Sequence, residues 1–164
     1  GRMRILEGIK NTILIDDSYN SSPKACARAV ETLSQLATSA KRYAVLGDML
    51  ELGSLSEEEH QKIGRQVAES ARILFTVGDK AKFTAEAAEK ATLPKKNIFM
   101  YTNVGKAGLD LQSMIEPKDV ILIKGSQSIR MEKIVKEIMA EPDKADILLV
   151  RQSNRWLDIP GMYD

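Results

Sequence analysis

Three short polar runs, each following a string of apolar residues, hold the side chains best suited to chemistry. Asp16-Asp17-Ser18-Tyr19-Asn20-Ser21-Ser22-Pro23 follows Ile13-Leu14-Ile15 and opens a helix-like stretch. Two acids, several hydroxyls and an amide where a buried strand meets a helix N-terminus suit phosphate, ribose or another polar ligand. A carboxylate there matches a ribose diol, because its two oxygens accept from both hydroxyls. Helix capping and turn formation by the same Asp, Ser and Asn side chains is the alternative. The other two runs are Gly47-Asp48-Met49-Leu50-Glu51-Leu52-Gly53 after Val45-Leu46, and Lys124-Gly125-Ser126 after Ile121-Leu122-Ile123. Together they point to one ligand site shared by several loops.

Other chemistries lack their residues. No phosphate loop of the Gly-x-x-x-x-Gly-Lys-Ser/Thr type and no Gly-x-Gly-x-x-Gly fingerprint occurs, so nucleotide phosphates must be held mostly from outside this chain. No Cys/His cluster has zinc spacing, and no metal site is expected. The single His60 falls on the apolar face of a helix and reads as a core or surface histidine. Ser18 and Ser126 have no histidine near them in sequence, which leaves a hydrolytic triad without support. Asp16 and Asp17, adjacent on a strand, point to opposite faces and form no acid/base pair. Lys plus Arg number 24 against 23 acids, with no basic cluster interleaved with aromatics, so nucleic acid is a poor partner. Apolar runs of four or five residues and no signal-like start give no membrane span and suggest a cytoplasmic protein.

The elements that must position these loops follow from periodicity. At 164 residues the chain fits one domain with a real core. Apolar runs at 12–15, 43–46, 73–77, 97–101 and 120–123 read as strands, and stretches 23–38, 56–71, 79–91, 104–115 and 128–139 have helical spacing. Strand and helix alternate, which predicts an α/β fold: a Rossmann-like, three-layer domain with a mostly parallel twisted sheet. All three polar loops then lie on the C-terminal edge of the sheet. Residues 3–9 predict an additional antiparallel edge strand, hairpinned to 12–16 through Lys10-Asn11. Ser56 and Glu59 have capping-box spacing; His60, Ile63, Val67 and Ala71 should face inward, as should Met131, Ile134, Val135 and Ile138. Cys26 falls with Val30, Leu33 and Ala37 on an apolar stripe and reads as core. The run Ile147-Leu148-Leu149-Val150 reads as a possible extra edge strand, followed by a Trp156-bearing tail that packs or wanders, with a functional lid as the alternative.

Gly1-Arg2, the Asp16 to Pro23 run, the Ala44 to Gly53 run and Ile123-Lys124-Gly125-Ser126-Gln127-Ser128-Ile129-Arg130-Met131-Glu132, in this order and spacing, resemble the C-terminal domain of the Mur ligases. The resemblance covers about residues 1–139 and is strongest toward the branch that joins D-alanyl-D-alanine to the UDP-MurNAc-tripeptide. It implies a domain at 1–140 with an extension at 141–164, and an ATP-dependent amide-forming step of peptidoglycan synthesis through an acyl phosphate. ATP and Mg2+ would be held mostly by a central domain, and the UDP precursor by an N-terminal one; neither is present in this chain, which alone would be inactive. Carried over by position, Arg2 resembles the arginine that reaches the γ-phosphate, and Asp17 the aspartate that accepts from the ATP ribose, with Asp16 in reserve. Asn20 lies near the nucleotide and Tyr19 against the base, or buried as a structural phenol. Lys124, Gly125 and Ser126 would form the dipeptide pocket, the lysine and serine on its carboxylate, with Asp48 or Glu51 at the ammonium end. Asp48 as a helix cap and Lys124 paired to an acid are the alternatives, and Arg130 reads as helical or as a surface charge. Ser22 and Gln127 depart from the family's usual Asn and Arg. A stand-alone non-catalytic binding module, or a related amino-acid or folate-type ligase domain, remains open.

Overall fold

In a computed structural model describing residues 3–36 and 39–164, five apolar runs become parallel strands of one six-stranded sheet. They are β2 (Thr12–Asp17), β3 (Arg42–Gly47), β4 (Ile73–Val77), β5 (Ile98–Tyr101) and β6 (Val120–Lys124). The expected edge strand is present as β1 (Arg4–Gly8), antiparallel to β2 with Gly8 opposite Thr12. Its turn at Ile9–Asn11 places both Lys10 and Asn11 at positive φ, as a tight reversal requires. The spatial order is β1-β2-β6-β3-β4-β5.

Continuous apolar strands are buried on both faces, and two helical layers do the burying. Helices α1 (Pro23–Gln35), α2 (Ser56–Ser70) and α3 (Lys82–Lys90) cover one face, where Cys26, Val30, Leu33, Ile63 and Val67 pack on Ile15, Leu46 and Leu122. Helices α4 (Val104–Met114) and α5 (Glu132–Ile138) cover the other, with Leu111, Ile134 and Ile138 against Val45, Phe75 and Ile123. Burial pushes the Cys26 thiol up to about 11, the chemistry of a core residue rather than a nucleophile. Ala37 lies outside the described residues.

β6 is the odd strand. The chain leaves it toward α5 on one face, whereas it leaves both neighbours, β2 and β3, toward the other face. Crevices of this kind beyond the carboxyl ends of strands are where open α/β sheets bind ligands.

Two local readings are corrected. Ser56 does not cap α2: a 3-10 turn at Gly53–Leu55 runs straight into the helix, so Leu55 holds the cap position without a side-chain bond. Glu59 pairs forward with Lys62 instead. The run 147–150 forms no strand; Ala145–Leu148 is a single helical turn, α6, followed by a second at Asn154–Leu157, α7. A short apolar run does not distinguish strand from buried turn by periodicity. The β1 edge is met there by other means, Arg4 donating to Leu148 O and Ala140 N–H to Glu7 O.

His60 is a satisfied core histidine, 1 % exposed. Its Nε2 accepts from Met49 N–H at 3.0 Å, which leaves Nδ1 to donate to Ser56 O at 2.7 Å. That pairing requires the neutral ring, and burial holds its pKa below the ordinary value. The ring thereby ties α2 to the loop after β3. Further along α2, a Cβ on Gly64 would lie 2.3 Å from Thr84 O and 2.8 Å from Ala87 Cβ, so the approach of α2 to α3 has no room for a methyl group.

Gly64→Ala should therefore lower stability by about 1–3 kcal/mol through overpacking, although alanine is the better helix former by about 1 kcal/mol. A urea midpoint equal to or above that of the parent would contradict the close crossing. His60→Leu should cost about 1–3 kcal/mol by leaving the Met49 amide unpaired. It should also blunt acid sensitivity: the unfolded chain takes up the His60 proton more readily, so this contribution is complete above about pH 6.5 and is lost as pH falls toward the lowered native value. Unfolding curves at pH 7.5 and 5.5 should differ less in the variant, and an undiminished difference would assign the acid limb elsewhere.

Candidate functional site

The last residues of β2 and β6, Asp17 and Lys124, stand opposite each other in the parallel register. Alternation along both strands sends their side chains to the α1 face, where Lys124 Nζ lies 2.7 Å from Asp17 Oδ2 and donates to Asn20 O at 2.6 Å. Lys124 is 2 % exposed, so its ammonium group is held by these protein atoms and not by bulk water. Asp17 Oδ1 accepts from Met3 N–H at 3.2 Å. Above them opens a cleft of about 430 Å³ lined by Asp17, Tyr19, Asn20, Lys24, Arg28 and Lys124. α1 begins at its wall, with Pro23 in the first turn and Ser22 Oγ accepting from Ala25 N–H; the departure at position 22 preserves a cap. Lys24 and Arg28, one helical turn apart on α1, were not among the sequence candidates. Their i,i+4 spacing just after an acidic strand end was the signal available.

Asp16 faces away from this cleft, as the alternation predicts. Its Oδ1 accepts from both the amide and the hydroxyl of Ser18, at 3.0 and 2.6 Å, so the reserve ribose role falls away. Tyr19 is 47 % exposed and borders the cleft, its ring 5.6 Å from the Arg151 guanidinium; it is no buried phenol. Arg2 lies outside the described residues.

A second cleft, about 670 Å³, runs along the same rim and shares Asn20 and Ser22 with the first. Among its lining are Ser22, Glu51, Ser126, Arg130, Trp156 and Ile159. Ser126 joins the three polar loops: its amide donates to Asp48 O at 2.9 Å, and its hydroxyl accepts from Leu50 N–H at 2.9 Å while reaching Ser21 O at 3.5 Å. The loops converge as the sequence implies, yet several side chains within them do not point where expected.

Asp48 is fully buried and turned from both clefts. Its Oδ1 accepts from the amides of Lys80 and Ala81 at the start of α3, and its Oδ2 from the Tyr163 hydroxyl at 2.8 Å. It is a cap, which leaves Glu51 alone of the two acids at the second cleft. Lys124 lines the first cleft, paired to Asp17, and not the second. Gly125 makes its close approach to the protein: a Cβ there would sit 2.6 Å from Met131 Cγ and 3.2 Å from Gly47 Cα. Arg130 is neither helical nor on the surface. It ends a 3-10 turn in the left-handed conformation, 2 % exposed, with Nε on Glu132 and Nη1 on the carbonyls of Trp156 and Ile159.

Those carbonyls belong to the C-terminal extension, which returns across the rim. Arg151 Nη2 donates to Ser18 O and Tyr19 O at 2.9 and 2.8 Å, and Met162 N–H to Ser128 O. The Tyr163 hydroxyl bridges Asp79 N–H and Asp48, and burial pushes its pKa up to about 12. Trp156, Ile159 and Pro160 of the extension thus line the second cleft, which the apolar run 147–150 did not reveal. The site holds carboxylates, cations and amides set for binding and orientation. Among the described residues, no three His, Cys, Asp or Glu side chains are grouped to hold a metal ion, and no helix is long and apolar enough to cross a membrane.

Comparison with known proteins bears on this geometry. Residues 1–127 match the model of the Mur ligase glutamate ligase domain. The UDP-N-acetylmuramoyl-tripeptide–D-alanyl-D-alanine ligase of Bacillus subtilis is 31 % identical over 142 residues, covering 86 % of this chain and 31 % of its own. The enzyme of the same name from Buchnera aphidicola is 34 % identical over 137 residues, covering 82 % and 28 %. A crystal structure of MurF ligase from Thermotoga maritima in complex with ADP superposes with a TM-score of 0.70 at 26 % identity, over 88 % of this chain and 31 % of that one. The chain spans about a third of the length of these relatives. With three quarters of its length matched by the family model and its polar loops gathered on one sheet rim, this chain belongs to the Mur ligases, as a glutamate ligase domain of that family.

Proposed function

We propose that this domain binds the ribose side of ATP in the first cleft and an incoming D-alanyl-D-alanine in the second, within a ligase that extends the UDP-MurNAc-tripeptide in cytoplasmic peptidoglycan synthesis. The observation that carries the reading is the pairing of Asp17 with Lys124 at the strand ends, beneath a cleft whose far side bears Lys24 and Arg28. A carboxylate for ribose hydroxyls beside cations for phosphate oxygens fits a nucleotide, and the ADP complex of the Thermotoga relative supports that choice. The names of the curated relatives supply the dipeptide and the tripeptide.

In such a ligation the tripeptide carboxylate oxygen attacks the γ-phosphorus and ADP leaves. The dipeptide amine then attacks the acyl carbon, inorganic phosphate departs with the C–O electron pair, and the amine gives up a proton. The phosphate loop and Mg2+, which neutralises phosphate charge, belong to the rest of the ligase, as does the site for the UDP precursor. The part assigned to this chain is positioning: Asp17 on the ribose, Lys24 and Arg28 on the phosphate side, Glu51 toward the ammonium group and Ser126 toward the carboxylate. Bringing these loops over the acyl phosphate also excludes water, which would otherwise hydrolyse it.

The test is ADP release in a ligase containing this domain, supplied with UDP precursor and candidate amines. Asp17→Asn keeps an acceptor for Lys124 but removes the charge, and should raise KM for ATP about tenfold while leaving KM for the amine unchanged. An unaltered ATP dependence would remove Asp17 from the nucleotide site. Lys124→Met should likewise act on ATP, by several-fold, because the lysine lines the first cleft; an effect confined to the amine would place the acceptor there instead.

A further inference from the structure

We propose that the C-terminal extension forms the far wall of the acceptor cleft, and that Trp156, Ile159 and Pro160 set the size of apolar side chain the incoming amine can carry. The inference rests on the reading of the second cleft as the acceptor site. The loops line that cleft with Asn20, Ser22, Glu51 and Ser126, and with Leu50 and Leu52 beside them; the extension contributes Trp156, Ile159 and Pro160. Polar groups orient a small ligand, and apolar surface measures its bulk. Ile159 stays 41 % exposed and Trp156 half-buried, so neither is used up by the core of the domain.

The wall is fastened on both flanks. Arg130 spends its hydrogen bonds on the backbone carbonyls of Trp156 and Ile159, the residues that carry the apolar side chains, and its guanidinium lies 5.8 Å from the indole centroid. Arg151 reaches the opposite way, from the extension to the carbonyls of Ser18 and Tyr19. Glu132, fully buried, sits between the two guanidinium groups, bonded to Arg130 Nε and 3.9 Å from Arg151 Nε. Burying two arginines and a glutamate is costly and adds little net stability over an apolar filling. What the cluster does provide is a fixed position for the indole relative to the polar loops.

Glu51, Arg130 and Arg151, which border the cleft or clamp its wall, hold φ of 63°, 63° and 56°, a region that non-glycine residues enter at an energetic cost. Such residues occur elsewhere too, at Met3, Lys10, Asn11, Thr92 and Lys118, so the clamp and not the strain carries the argument. A segment that only shielded the core would not need the two-sided clamp.

Trp156→Ala, made in the ligase containing this domain, is assayed with D-alanyl-D-alanine, D-alanyl-D-valine and D-alanyl-D-leucine. KM for D-alanyl-D-alanine should rise about five- to tenfold with KM for ATP unchanged, and the kcat/KM ratio of the leucine to the alanine dipeptide should shift about tenfold toward the larger one. Ile159→Ala, a smaller change at an exposed position, should shift the ratio in the same direction and serves if Trp156→Ala melts early. A dipeptide ratio equal to that of the parent, or a rise in KM common to ATP and amine, would make the extension a structural cap and overturn the proposal. Failure of the acceptor reading itself looks different: Glu51→Gln, on the loop side of the same cleft, then leaves KM for every dipeptide unchanged along with the two wall variants, whereas a raised KM in Glu51→Gln beside an unchanged dipeptide ratio in the wall variants overturns the wall alone.

Discussion

Two opposite charges withdrawn from water at the ends of neighbouring strands impose the main constraint on this domain. Lys124 and Asp17 each carry a desolvation penalty that the other, with Asn20 O and Met3 N–H, offsets. The pairing depends on the parallel register of β2 with β6, since a shift of one residue would send one side chain to the other face. It also requires the chain to place β6 last in sequence yet between β2 and β3, with its connection on the opposite side of the sheet. The crevice this creates is where the polar loops meet, so the ion pair and the cleft above it follow from the same topology.

Around that pair the loops are held by single atoms with several partners. Ser126 bonds to the second loop through both its amide and its hydroxyl and touches the first; His60 fixes Met49 from below; Asp48 anchors the second loop to the start of α3 and to Tyr163. Sequence position suggested a ligand-facing role for Ser126 and Asp48, with a helix cap as the alternative for Asp48, and a core or surface role for His60. Physically Asp48 and His60 are the frame: a buried carboxylate at a helix start, or a neutral imidazole between a donor and an acceptor, is satisfied without any ligand. Among the residues that line the clefts are Asp17, Tyr19, Asn20, Glu51, Lys124 and Ser126 from strand ends and loops, Lys24 and Arg28 from α1, and Trp156 and Ile159 from the extension.

Much of the architecture was legible because apolar runs and helical spacing are local. Every strand from β2 to β6 and every helix from α1 to α5 lies where the periodicity put it, within a few residues, and the Lys10-Asn11 reversal announced β1. Legibility ended where tertiary context decides. A 3-10 turn merging into α2 took the capping role from Ser56. The sequence reads Arg130 as helical or as a surface charge, yet its neighbours Trp156 and Ile159 are more than twenty-five residues away and nothing local announces them. The run 147–150 has strand-like composition but packs as a turn; Glu7 O on the β1 edge is taken by Ala140 N–H, and the Arg4 side chain donates to Leu148 O. Which of two adjacent aspartates faces the first cleft is readable as a question of faces, but its answer requires β6 beside β2.

The amide of Met3 donates to the same carboxylate that holds Lys124, and Met3 itself sits at φ 49°. The first described residue therefore lies over the first cleft, not at a remote corner. One oxygen of the carboxylate is held by this backbone amide and the other by the lysine, so any change in the path of the backbone before β1 alters how the acid is seated. The course of the main chain and the posture of one acidic side chain are, in this arrangement, a single mechanical feature.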